Sequence, residues 1–572
     1  MLEISDQIIS IAVSLLCISL GTVFWIYRQS SRSTTKQSSK LEGELKYPPS
    51  PPKRHWLWKH GAALAGDGVS SHDIIFLQWM EKLNSKVVMF DIPVLGRLIT
   101  VGDADLAQHV LQSKAKDGKV GGSAFPKSPT YSNVIPLIGK KSIVIMEGSE
   151  WAHQRKVFNP GFSPNYLKGI VTTIAQKCDR FLEFCETQDI ANGTPTDMCA
   201  RAIDLTSDVI AQVAFGEDWG YNSKEDNDGI RTLGIFRDLT KLIADGMKNP
   251  LQKLNPFYKR KISKLSKSLD QDMQRLVRRR IDSVQNENDN NSKSQKDILS
   301  LSLTSVLKAN ADDRKSRAKD ENHSSKNKAK KNLSSSDYLF SDDDMECMTS
   351  QLKTFYFAGH DTTATTIAWA FWSLVMNPEA LQKARDEVLE HLGKDWVDAV
   401  AKGNSHEKII PKESTTYENL QKCQYLDAIT RETLRLYPPA ASTRYSIYPE
   451  ASFGDYKIGQ CIVELNFYAI QRDPDIWGKD ANDFCPERFL GEAGREKINS
   501  FGFLPFSKGS RDCIGKYFAL LESKIALAAL ITRYDASVVD ADKEVYTARL
   551  TSVPKNGCLV KLARRSGEGS SS

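Results

Sequence analysis

Near the C-terminal end of the chain, Phe506-Ser507-Lys508-Gly509-Ser510-Arg511-Asp512-Cys513-Ile514-Gly515 restricts the possible folds more than any other stretch. It reads as an irregular loop that opens a helix, because Phe518, Leu521, Ile525 and Leu527 follow at helical spacing. The spacing predicts that helix from Cys513 to about Tyr534. A cysteine at a helix N-terminus meets the positive end of the dipole and unpaired amide hydrogens, and both favour thiolate. Glycines on both sides leave room for backbone N–H groups and a flat ligand to come close. A cysteine taken alone is more often an inert core residue. This one stands in a patterned loop.

The rest of the chain supplies a large body for that loop. With 572 residues, 40% hydrophobic and 26% charged, the composition is that of a folded protein with one core or two. A net charge of +6, without basic runs interleaved with aromatics, argues against a nucleic-acid partner. Ten cysteines without a CxxC pair read as reduced, mostly buried residues of a cytosol-facing domain.

Ile8 to Tyr27 carries no charge and is long enough to cross a bilayer as a helix. Glu3 and Asp6 precede it, while Arg28, Arg32, Lys36 and Lys40 follow, so the body is expected on the cytosolic side. The expected divisions are a transmembrane anchor at 1–28, a Ser/Lys- and Pro-rich linker at 29–54, a body at 55–566 and a frayed tail at 567–572. The body reads as mainly α with small β-sheets, including strands at Val87 to Ile92 and Leu98 to Val101. Residues 311–336 lack aromatics and carry eight basic against four acidic side chains, a balance of +4. Such a stretch cannot repay its ordering entropy and is expected to be a disordered insert.

After the insert, Asp342, Asp343 and Asp344 suit a helix N-terminus, and no proline interrupts the run until Pro378. Ala358-Gly359-His360-Asp361-Thr362-Thr363 lies in its middle, where glycine and clustered threonine are locally unfavourable. Such a breach of local rules marks either unusual packing or a site.

The pattern F-x-x-G-x-R-x-C-x-G, complete at Phe506, Gly509, Arg511, Cys513 and Gly515, resembles that of the cytochrome P450 family. Glu432-Thr433-Leu434-Arg435 resembles the family's E-x-x-R, and Pro486-Glu487-Arg488-Phe489 its P-E-R-F element. On its own, E-x-x-R is an ordinary surface pair. The resemblance implies a buried network of Glu432, Arg435 and Arg488, and a cytochrome P450-like fold preceded by one transmembrane helix. It implies haem b, with Cys513 as the axial iron ligand and Phe506 and Gly515 beside the group. Trp151 and Arg155 resemble a W-x-x-x-R helix that meets a haem propionate, and Arg444 and Arg511 are implied to add two more guanidiniums. Read without the resemblance, Arg155 and Arg444 could equally make surface ion pairs, and Trp151 could be core. Gly359 is implied to admit the haem closely, with Asp361 and Thr362 organising water for proton delivery. His360 reads as packed away from the iron, since neighbours on a helix face different ways.

The implied activity is a haem-thiolate monooxygenase that acts on a lipophilic substrate (fatty acid, sterol or isoprenoid) with O2. No flavin or nicotinamide fingerprint occurs in the chain, so electrons are expected from NADPH through a separate flavoprotein reductase. The implied location is the endoplasmic reticulum membrane. A peroxide isomerase or dehydratase would not need Asp361 and Thr362, and a non-catalytic membrane haem protein would leave them without purpose.

Overall fold

Apolar residues recur every three to four positions over most of the body, and helices form accordingly. The computed structural model describes residues 46–52, 59–60, 71–92, 95–115, 123–220, 228–248, 250–287, 297–321, 340–402, 411, 415–548 and 550–565. The apolar span Ile8 to Tyr27, the linker up to residue 45 and the tail at 567–572 lie outside them. No helix among the described residues is long and apolar enough to cross a membrane.

The helices that frame the site are α1 (His72–Leu83), α2 (Gly148–Phe158), α3 (Pro164–Phe184), α4 (Met198–Ile210), α5 (Asp228–Lys248) and α6 (Pro256–Glu287). They continue with α7 (Ile298–Glu321), α8 (Asp342–Met376), α9 (Gln424–Leu436) and α10 (Lys516–Arg533). The strands are β1 (Val87–Ile92), β2 (Gly96–Val101), β3 (Thr196–Asp197), β4 (Ser442–Ser446), β5 (Ser452–Phe453) and β6 (Tyr456–Lys457). After them come β7 (Cys461–Leu465), β8 (Tyr534–Val538), β9 (Tyr546–Ala548), β10 (Ser552–Pro554) and β11 (Leu559–Arg564). They form one four-stranded sheet in the order β1-β2-β7-β4, one three-stranded sheet β3-β11-β8, and two hairpins. Among the strands of the described residues, β2 and β7 alone pair in parallel. The architecture is mainly helical with small sheets, as the periodicity predicted.

The helix α8 is the axis of the main core. Ser341 caps it: the Asp344 N–H donates to the Ser341 hydroxyl at 3.1 Å, and the Ser341 N–H donates to the Asp344 carboxylate at 3.0 Å. This reciprocal box satisfies two amide donors that a helix start leaves unpaired. Beyond it, Leu352, Phe355, Ile367, Ala368 and Leu374 are buried against α4, α10 and their neighbours.

Two boundaries differ from expectation. Residues 311–321, expected to be disordered, continue α7 to Glu321, and the rest of that insert, 322–336, lies outside the described residues. Once a helix is nucleated, each further residue adds a hydrogen bond, and Ala, Arg, Lys and Glu are good helix formers. The helix after the cysteine loop starts at Lys516 rather than Cys513, with Gly515 at its cap. Cys513 is therefore still in the loop.

Candidate functional site

The loop is built around backbone turns. Its residues Gly509–Arg511 make one 3-10 turn, and the Cys513 N–H donates to the Phe506 carbonyl at 2.9 Å. Gly509 has φ +80° and passes so close to Leu111 that a Cβ would lie 3.0 Å from its carbonyl oxygen. Glycine is required there on both counts. Gly515 is different: its φ is −90°, and a Cβ would meet only Phe162 at 3.7 Å. The freedom expected of it is not used by its backbone.

Among the nine described cysteines, Cys513 is the exposed one, while seven are buried and Cys485 is intermediate. Its sulfur is accessible yet ringed by protein. That enclosure raises the thiol pKa, and the Gly515 N–H, Arg155 and Lys516 only partly counter it. The Gly515 N–H, at the cap of α10, is the helix-end contribution to that balance, and burial opposes it.

Three guanidiniums converge around the loop. Arg155 on α2 donates to the Asp512 backbone carbonyl at 2.7 Å and to the Asp512 carboxylate at 2.8 Å. Arg511 turns towards Ile143, Met146 and the Glu147 carboxylate, and its guanidinium stacks 4.3 Å over the buried Trp151 ring. Arg155 and Arg511 thus bond protein groups in this structure, where the resemblance implied propionates. Arg444 on β4 does neither. It is 3% exposed, belongs to no ion pair among the described residues, and its Nε has no hydrogen-bond partner.

Burial lowers the pKa of Arg444, and burial lowers that of Arg511 too, with Arg444 and Arg155 adding repulsion. Lys127 is likewise pushed down by burial, with Arg444 and Arg511 contributing. Burial would raise the Tyr131 phenol, but Lys127 and Arg444 outweigh it and lower its pKa. A buried guanidinium with an orphaned N–H, among converging cations, fits a ligand that carries carboxylates. The exposed Cys513 in the loop that Arg155 clamps fits a soft metal ligand. Haem b offers both: Cys513 would hold the iron, and Arg444 is best placed to meet a propionate.

On α8, the Thr362 hydroxyl donates to the Ala358 carbonyl at 2.8 Å, one turn back, as expected. The Asp361 carboxylate accepts a hydrogen bond from the Thr551 hydroxyl, 190 positions away. His360 stacks on Tyr356, with ring centroids 4.6 Å apart, and its Nδ1 lies 2.6 Å from the Tyr356 carbonyl. It is packed, as the helix spacing predicted, and burial lowers its pKa. At Gly359 a Cβ would lie 3.0 Å from the Ile210 side chain, so the missing side chain also lets α4 approach closely.

The structural network is as implied. Arg435 donates to both oxygens of Glu432, at 2.7 and 2.8 Å, and both side chains are 0% exposed. Arg435 also holds the carbonyls of Gln471 at 2.8 Å and Ala481 at 2.5 Å. Arg488 lies 3.5 Å from Glu432 and donates to the Trp477 carbonyl at 2.9 Å. Glu432 further accepts the Cys485 N–H at 2.8 Å. The network therefore staples the segment before the cysteine loop onto α9.

Sequence reasoning missed Asp512, Glu147, Lys127, Tyr131 and Thr551. Asp512 stands at a variable position of the motif, and its place between Arg511 and Cys513 was the one available signal. Thr551 left none, because it lies on the β9–β10 hairpin, 190 positions from its partner Asp361 on α8.

This cysteine loop and buried Glu–Arg network on a mainly helical body define a haem-thiolate class of protein. The cytochrome P450 family model matches residues 49–560, and the chain belongs to that family. It is similar to a cytokinin hydroxylase of Arabidopsis thaliana, 28% identical over 506 residues that cover 86% of this chain and 85% of that one. It is also similar to an echinocystic acid 23-monooxygenase of Saponaria officinalis, 27% identical over 77% of this chain and 75% of that one. The crystal structure of the cytochrome P450DA heme domain superposes with a TM-score of 0.68 at 20% identity, covering 91% of this chain and 99% of that one. The chain is a cytochrome P450 monooxygenase.

Proposed function

We propose that this monooxygenase inserts one oxygen atom of O2 into a lipophilic substrate: a fatty acid, sterol or isoprenoid. Its electrons come from NADPH through a separate flavoprotein reductase. The body faces the cytosol, tethered to the endoplasmic reticulum by the Ile8 to Tyr27 span. The observation that carries the oxygenase reading is the Thr362 hydroxyl beside Asp361, the first bonded one turn back and the second held by Thr551.

A hydroxyl and an adjacent carboxylate on one helix can order water and pass a proton to a developing oxygen charge. Haem, when bound, supplies the redox chemistry, and sulfur ligation favours O–O cleavage. Cys513 would hold its iron, and Arg444, buried with an orphaned N–H, would meet a carboxylate of the group. The Glu432–Arg435 pair fixes the loop segment that precedes Cys513. Relatives named as hydroxylase and monooxygenase support the reaction type.

The test is NADPH consumption by the full-length protein with added reductase, across panels of fatty acids, sterols and isoprenoids under labelled O2. One labelled oxygen atom in the product is expected for at least one panel. Turnover of hydroperoxides without NADPH, and no labelled product from any panel, would overturn the reading.

A further inference from the structure

A second cleft lies on the other side of α8. Thr349 and Ala358 are nine residues apart, about two and a half helical turns, so they face opposite ways. Lys353 and Thr362 have the same relation. Thr349 and Lys353 line a cleft of about 990 Å³ between α5, α6, α8 and the segment 133–140. Along this face of α8, aromatic packing stands between the cleft and His360, with Phe236 4.3 Å from Tyr356 and Tyr356 4.6 Å from His360 between ring centroids. None of the residues assigned to the oxygenase site lines the cleft.

Its floor is polar. Thr349 is 4% exposed, and its hydroxyl has no hydrogen-bond partner among the described residues, which is rare for a buried group. One turn on, Lys353 is 1% exposed and donates to the Pro136 carbonyl at 3.0 Å and to Asp270 at 2.7 Å. An ammonium has three N–H groups, so one remains available. Around them, six cations (Lys140, Lys253, Lys259, Lys267, Arg278 and Lys353) face the three carboxylates of Asp270, Asp342 and Glu346. Lys140, Lys259, Lys267 and Arg278 make no ion pair among the described residues. Between the charges lie Ile135, Ile243, Met247 and Ile262.

We infer that this cleft is a second binding site, for an anionic amphiphile. Its charged head, carboxylate or phosphate, sits among the unpaired cations, and its apolar body covers the isoleucines and Met247. The volume is that of a small-molecule site. The excess of cations selects the charge, and the buried Thr349 hydroxyl supplies a fixed hydrogen-bonding group at the floor.

The test uses haem-loaded full-length protein in nanodiscs of neutral lipid, titrated with fluorescently labelled stearate, with labelled lysophosphatidate and with labelled stearyl alcohol. Stearate or lysophosphatidate should bind at least tenfold tighter than the neutral alcohol, and the tighter of the two identifies the head group. Lys259→Glu with Lys267→Glu should weaken that binding about tenfold, the equivalent of two or three weak ion pairs. Thr349→Val should weaken it as well, and neither change should move the Soret band. The milder Lys259→Gln with Lys267→Gln serves if the charge reversal lowers haem content. Equal binding of stearyl alcohol, or wild-type affinity in folded rim variants, overturns the inference.

Discussion

Arg155 clamps Asp512 from across the fold, with Nη1 on its carbonyl at 2.7 Å and Nη2 on its carboxylate at 2.8 Å. The residue immediately before Cys513 is thereby tied to α2, and a planar fork does this with a direction that an ammonium cannot reproduce.

Cys513→Ser should abolish the red-shifted Soret band of the reduced, carbon-monoxide-bound protein, because only the sulfur can donate a thiolate at that position. Arg155→Lys should retain the band but speed amide hydrogen exchange over 512–515. A normal thiolate spectrum in the serine variant would refute the ligand assignment.

Arg435→Ala should destabilise the fold by about 3–5 kcal/mol, since it leaves the fully buried Glu432 carboxylate with its main partner removed. Urea unfolding of the haem-loaded protein measures this. Arg435→Lys should recover only part of the loss, because a point charge cannot bond both Glu432 oxygens and the Ala481 carbonyl together.

Thr362→Ala should bind haem normally while diverting electrons into peroxide. Thr551→Val should do the same more weakly, by releasing the Asp361 carboxylate. The ratio of product to NADPH consumed is the readout. Wild-type coupling in both variants would remove the relay role.

The half-buried Asp73 and the buried Glu464 form an acid pair where α1 meets β7, with the Thr100 hydroxyl on Glu464 and the Ser552 hydroxyl 3.4 Å from Asp73. Burial raises Asp73 from its ordinary 3.8 to about 6, against hydrogen bonds from Glu464 and Ser552. Burial and the Asp73 charge hold Glu464 well above the usual carboxylate range. The folded state keeps protons that the unfolded chain releases, so this pair's contribution to stability is greatest below about pH 4 and declines as pH climbs through about 6. Asp73→Asn should flatten that part of the curve. Urea midpoints at pH 4.5 and 7 that differ as in the wild type would contradict it.

The cytosolic orientation predicts no glycan at Asn192, Asn290, Asn322 or Asn332, each of which begins an N-x-S/T sequon. Endoglycosidase treatment of membranes should leave the gel mobility unchanged. A mobility shift abolished by Asn→Gln at these positions would reverse the orientation.

What the sequence determined by itself is local or periodic. The loop Phe506 to Gly515, the extent of α8, the strands at Val87 and Leu98, and the pairing of Glu432 with Arg435 three residues on all depend on neighbours in the chain. Helical period and turn chemistry act over a few residues, so they can be read without the fold. Tertiary structure alone decided which partners distant groups take. Arg155 meets Asp512 rather than solvent, Thr551 reaches Asp361, Gly359 makes room for Ile210, and Arg444 is left buried with an unpaired N–H. Desolvation, too, depends on the whole enclosure of a side chain, which no run of neighbours in the chain reveals.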